Sequence, residues 1–71
     1  MEDTAYRKNL KEGLLVDIVQ KKDQRSGELT RGYIDRILTN KAVHTQGIKV
    51  MLTNGCVGRV KHIITEINQE K

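Results

Sequence analysis

The chain has 71 residues, a single cysteine (Cys56), no proline and a net charge of +4. That length carries one domain, buries only about 60% of the surface its unfolded form exposes, and has no internal disulfide to reinforce it. No apolar run is long enough to cross a bilayer or reads as a signal peptide, so the expected setting is the reducing cytoplasm.

The charge is unevenly placed. Residues 1–10 are balanced, residues 11–62 hold ten bases against five acids, and residues 63–71 carry −1. The surplus therefore sits on the folded part, which suits an acidic partner such as RNA or DNA, although modest positive charge also serves solubility.

Residues 1–12 are largely polar, with only Ala5, Tyr6 and Leu10 to anchor them. They read as a flexible N-terminal arm with one helical turn over Asp3 to Asn9. Residues 13–67 are assigned to a β-barrel domain and 68–71 to a flexible tail. The first strand is Leu14 to Val19, rich in β-branched residues, with Val16 and Ile18 on one face. A polar loop from Lys21 to Glu28, marked by Ser26-Gly27, leads to a second strand over Thr30 to Leu38. Gly32 and Ile34 share one face of that strand while Tyr33 and Ile37 share the other. Apolar groups on both faces predict strong curvature, or a bulge near Gly32.

A polar connection from Thr39 to Gln46 precedes the third strand. There Ile48, Val50 and Leu52 alternate with Lys49, Met51 and Thr53, the period of two that one buried face imposes. Asn54-Gly55 predicts a tight hairpin into a fourth strand from Cys56 to about His62, and Ile63, Ile64 and Ile67 suggest a short closing strand. Short strands between turns, with no helix long enough to cover a sheet, predict an all-β SH3-like barrel of about five antiparallel strands.

The hairpin register has two solutions. A two-residue turn pairs Leu52 with Val57 but aims Arg59 inward and Val60 outward unless a bulge at Gly58-Arg59 inserts one residue. A turn over Thr53-Asn54-Gly55, with Gly55 left-handed, pairs Leu52 with Cys56 and Val50 with Gly58 but leaves Val57 outside. The first buries both valines and is the expected one.

Several blocks follow one another in order: Val16-Asp17-Ile18-Val19, Asp23-Gln24-Arg25-Ser26-Gly27, Leu29-Thr30-Arg31-Gly32, Ile37-Leu38-Thr39-Asn40, His44, Gly47-Ile48-Lys49-Val50 and Val57-Gly58-Arg59-Val60. Together, over residues 11 to 63, the chain resembles the YwbE-like family. The resemblance implies a compact SH3-like barrel related to KOW-type modules, some of which bind RNA or ribosomal partners. It brings no established activity. The chain departs from the pattern at His44-Thr45-Gln46-Gly47, which lacks a proline after the histidine, and at Met51, where a basic residue is common.

Four chemistries compete for these residues. Lys21, Lys22 and Arg25 in the first loop, Arg31 on the second strand, and Lys49, Arg59 and Lys61 on the hairpin form a candidate surface for nucleic-acid phosphates. The bland alternative is a solvated face whose lysines discourage edge pairing. With Tyr6 and Tyr33 as the only aromatics, successive bases have no stacking platform. His44, His62 and Cys56 lack metal-ligand spacing, so no metal or other cofactor is expected. Asp17, Asp23, Asp35 and Cys56 have no apparent pocket or activating base, so no catalysis is expected. Asp17 and Asp23 are read as edge and turn residues that bond nearby backbone N–H groups. The second functional reading is a protein-interaction module that binds through the Asp23 to Glu28 loop or a strand edge.

Overall fold

In the computed structural model, which describes residues 3–64, four strands form: β1 (Leu15–Gln20), β2 (Thr30–Ile37), β3 (Lys49–Leu52) and β4 (Val57–Ile63). They close into an antiparallel barrel in the order β1-β2-β3-β4, with β4 returning to β1. The all-β barrel expected from the pattern is present, with four strands among the described residues rather than about five. Ile63 ends β4, and the Ile64 N–H donates to the Leu15 carbonyl at 2.9 Å. Ile67 and the tail at 68–71 lie outside the described residues.

The interior follows from alternation. Val16 and Ile18 of β1, Ile34 of β2, Val50 and Leu52 of β3, Val60 of β4 and Ile48 just before β3 are fully buried. Each such side chain stabilises the fold by roughly 1.5–3 kcal/mol relative to exposure. Leu14, Ile37, Cys56 and Ile63 pack against this cluster from its margins.

Two bulges reconcile strands whose apolar residues break the period of two. Ile34 pairs with Leu52 but Arg36 pairs with Met51, so Asp35 is the inserted residue on β2. Asp17 pairs with His62 but Ile18 pairs with Val60, so Lys61 is inserted on β4. The effect is the same in both strands: Ile34 and Ile37, or Val60 and Ile63, three positions apart, reach the core while the two residues between them stay exposed. The bulge expected near Gly32 therefore lies three residues later. Gly32 has a different task, because a Cβ there would meet Leu52 Cδ1 at 2.8 Å inside the barrel.

The hairpin adopts the register that was not expected. Lys49 pairs with Arg59, Val50 with Gly58 and Met51 with Val57. Gly55 is left-handed at φ 90°, its N–H donates to Leu52 O at 2.9 Å, and the Asn54 side chain accepts from the Cys56 N–H. No bulge occurs at Gly58-Arg59. Val57 is outside the core yet only half-exposed, because it borders a concavity with Val19, Lys21 and Gln24. That partial cover removes the penalty that argued against this register.

The segment read as a flexible arm is instead strapped across the barrel. Ala5 and Leu10 are buried, and Leu10 belongs to the core cluster. Its backbone is also tied down: Arg7 N–H donates to Ala42 O, His44 N–H to Ala5 O and Ile48 N–H to Thr4 O, all at 2.8–3.0 Å. Three apolar residues suffice because the 39–48 connection offers backbone groups for the strap to pair with.

Gly58 is a close approach of β4 to β1: a Cβ there would lie 2.5 Å from the Val19 carbonyl oxygen, whereas one on Gly55 would meet nothing. Gly58→Ala should therefore cost more stability than Gly55→Ala, which pays only for a strained φ, about 1–2 kcal/mol. Urea denaturation of both variants measures this, and equal costs would contradict the observed register.

Candidate basic groove

The turn after β1, Lys21–Asp23, folds over the outer faces of Val19 and Val57. It creates two adjoining concavities that share Val19, Gln24 and Arg59. One is completed by Gly27, Gln46 and Lys61, the other by Lys21, Lys49, Val57 and Gly58. The groove thus has an apolar floor, two amide side chains and four cations, and no acidic residue lines it.

Arg59 occupies the centre. Its Nη1 donates to the Gly47 carbonyl at 3.2 Å, which holds the half-buried guanidinium against the barrel wall. Gly47 can present that carbonyl because it is left-handed at φ 103°, with no room for a Cβ, which would lie 2.5 Å from Val60 O. Lys49 stands directly across the ladder from Arg59. Like charges at opposed positions destabilise a sheet. Among the described residues the only ion pairs are Arg31–Asp17 and Arg36–Asp35, so none neutralises Lys21, Lys49, Arg59 or Lys61.

The structure thus gathers four of the seven basic residues singled out from the sequence. Lys22 and Arg25 are exposed on the adjoining loop. That loop is closed on itself: Asp23 O accepts from Gly27 N–H at 2.7 Å and from Ser26 Oγ at 3.2 Å, and Ser26 Oγ accepts from Glu28 N–H. Arg31 is elsewhere. Its Nε and Nη2 grip both oxygens of Asp17 at 2.8 and 3.1 Å. Asp17 is therefore no edge residue bonding the backbone, but a buried carboxylate on β1 paired with a cation on β2. Sequence reasoning missed Gln24, Gln46 and the floor residues Val19 and Val57, since only the folded turn over β1 brings them together.

Other chemistries find less. Among the described residues no three His, Cys, Asp or Glu side chains come together as metal ligands, and no helix is long and apolar enough to cross a membrane. Cys56 packs at the core margin.

A family described as uncharacterized conserved protein (DUF2196) matches residues 3–63. The chain is similar to the uncharacterized protein YwbE of Bacillus subtilis (strain 168), at 48% identity over 59 residues, covering 83% of this chain and 91% of that protein. No solved structure matches.

The Asp17–Arg31 pair has a pH signature. The Asp17 carboxyl lies below its ordinary value, first because Arg31 hydrogen-bonds it; burial opposes this, and the charges of Arg31 and His62 add to it. Arg31 in turn holds its proton more tightly, chiefly through the same hydrogen bond. A carboxyl more acidic when folded contributes stability above its unfolded value, near 3.8, and loses it as pH falls through the folded value. The Arg31 shift acts only at strongly alkaline pH. Thermal unfolding across the acid range should show wild-type stability falling below about pH 4–5, with a shallower acid limb in Asp17→Asn. Identical acid limbs would remove the pair from the account of stability.

Proposed function

We propose that this chain, which belongs to the DUF2196 family, is a binding module, not an enzyme, and takes RNA, free or within a ribonucleoprotein, by its phosphates. One observation carries the reading: Lys21, Lys49, Arg59 and Lys61 border one groove without an acidic partner among the described residues. Folding that places Lys49 opposite Arg59 accepts a repulsion that a bound anion relieves. The apolar floor lowers the local dielectric and strengthens each phosphate contact. Gln24 and Gln46 supply amides for phosphate oxygens or ribose hydroxyls.

Lys22 and Arg25 extend the same field from the adjoining loop, while Arg31, committed to Asp17, leaves the set of contacts. Backbone contacts position a nucleic acid without reading its sequence, so low base preference is part of the proposal. A cytoplasmic setting suits it. The rival reading, a protein-binding module, draws less support: the Asp23 to Glu28 loop is closed on itself and every strand has a partner on each side.

If each of the four cations neutralises one phosphate, log affinity should fall against log salt with a slope of about −2.8 on single-stranded RNA and about −3.6 on duplex DNA. Titration of labelled RNA and DNA at several salt concentrations measures this. Lys49→Glu and Arg59→Glu should weaken binding on every sequence, Arg25→Glu should weaken it less, and Arg31→Gln should leave it unchanged. No binding at low salt sinks the proposal, and a protein captured through nuclease treatment and high salt would favour the rival.

A further inference from the structure

The strapped segment brings a second, separate concavity to the surface. Tyr6 bridges Val43 in antiparallel fashion, and the Arg7 N–H donates to Ala42 O at 2.9 Å, so the backbone beneath the Tyr6 ring is fixed. The half-buried ring, Ala42 and Val43 form apolar walls, and Arg7, Lys8 and Asn40 complete the rim. None of these residues borders the basic groove.

The chemistry of this concavity is specific. Arg7 Nε donates to Thr39 O at 3.0 Å, which orients the guanidinium and leaves its terminal amino groups without a partner among the described residues. The Lys8 ammonium lies 5.9 Å from the Tyr6 ring centroid, at the outer limit of a cation–π contact. A flat ring arriving on Tyr6 would displace only this weak contact, and the ammonium would remain near any anion the ring carries. Asn40 offers one amide donor group and one carbonyl acceptor, the pattern that reads the edge of a heteroaromatic base. No acidic side chain lines the site.

We infer that this concavity binds one nucleotide, its base stacked on Tyr6 and its phosphate between Arg7 and Lys8. The apolar wall selects a planar ring, the two cations select an anion attached to it, and Asn40 favours a base over a plain aryl group. Only an unpaired nucleotide presents a free base face, so the ligand is a mononucleotide or a single-stranded segment rather than a duplex.

Tyr6 and Tyr33 are the only aromatic side chains that carry the signal, since the chain has no tryptophan or phenylalanine. Tyrosine-ring NMR therefore shows two sets of resonances, assigned with Tyr33→Phe. Titration with uridine or adenosine 5′-monophosphate should move the Tyr6 ring upfield and saturably, leave Tyr33 in place and shift the amides of Asn40 and Val43. Tyr6→Leu should weaken binding roughly tenfold, the usual worth of one stacked base, while Tyr6→Phe should bind as wild type. Arg7→Gln combined with Lys8→Gln should abolish the preference for nucleotide over nucleoside, a readout that leaves the Tyr6 packing intact. The inference fails if the Tyr6 ring does not move, if inorganic phosphate alone reproduces the shifts, or if phosphotyrosine binds more tightly than either nucleotide.

Discussion

Barrel closure depends on the contact between β1 and β4, where Gly58 lies close against the Val19 carbonyl. A side chain there would lie 2.5 Å from that oxygen, so the strands pair only because the position is bare. Closure then governs the rest. With β4 held to β1, Ile18 faces Val60 across the ladder, and the Lys61 bulge becomes necessary to return Ile63 to the core. Regular pairing puts Arg59 on the outer face and the bulge leaves Lys61 exposed, so both border the groove. A domain of this size has little surplus stability. It reinforces the closed ladder with the strap, whose Leu10 fills the core and whose backbone bonds anchor the 39–48 connection.

Strong local patterns were legible in the sequence, and features that depend on partners were not. The alternation of Ile48, Val50 and Leu52 dictated β3 because one face of that strand is fully buried and the other is open. Asn54-Gly55 located the hairpin for a similarly local reason: only the turn itself is involved. The expected register differs from the observed one because it rests on burying both Val57 and Val60 within the hairpin. The residues covering Val57 come from the turn after β1, about 35 positions earlier in the chain. The wrong parity of Ile37 did signal a bulge, and Val60 with Ile63 carries the same spacing of three. Placing the bulge at Asp35 required the facing strand, since Leu52 fills the space that Gly32 leaves.

The arm misled for the same physical reason. Ala5, Tyr6 and Leu10 are too sparse to read as an amphipathic element, and the bonds that hold them are backbone bonds, which leave no trace in side-chain type. The basic groove was half-legible. Charge asymmetry pointed to Lys21, Lys49, Arg59 and Lys61, but it pointed equally to Arg31, which the fold spends on the buried Asp17. Charge counts record how many cations a chain has. Only packing decides which of them lack a carboxylate.

The 39–48 connection links these features. Its Asn40, Ala42 and Val43 wall the Tyr6 concavity, while Gln46 lines the groove and the Gly47 carbonyl holds Arg59. The connection has no strand of its own and takes its position from the strap at Ala5 and Arg7 and from the ladder at Val60, whose N–H donates to Ile48 O at 2.9 Å. Two surfaces with different chemistry, one cationic over an apolar floor and one built on an aromatic ring, are therefore set by a single backbone path. An irregular connection suits this double duty better than a strand would. A strand would bury the loop's side chains in alternation, whereas an irregular path held at both ends turns Asn40 toward one site and Gln46 toward the other.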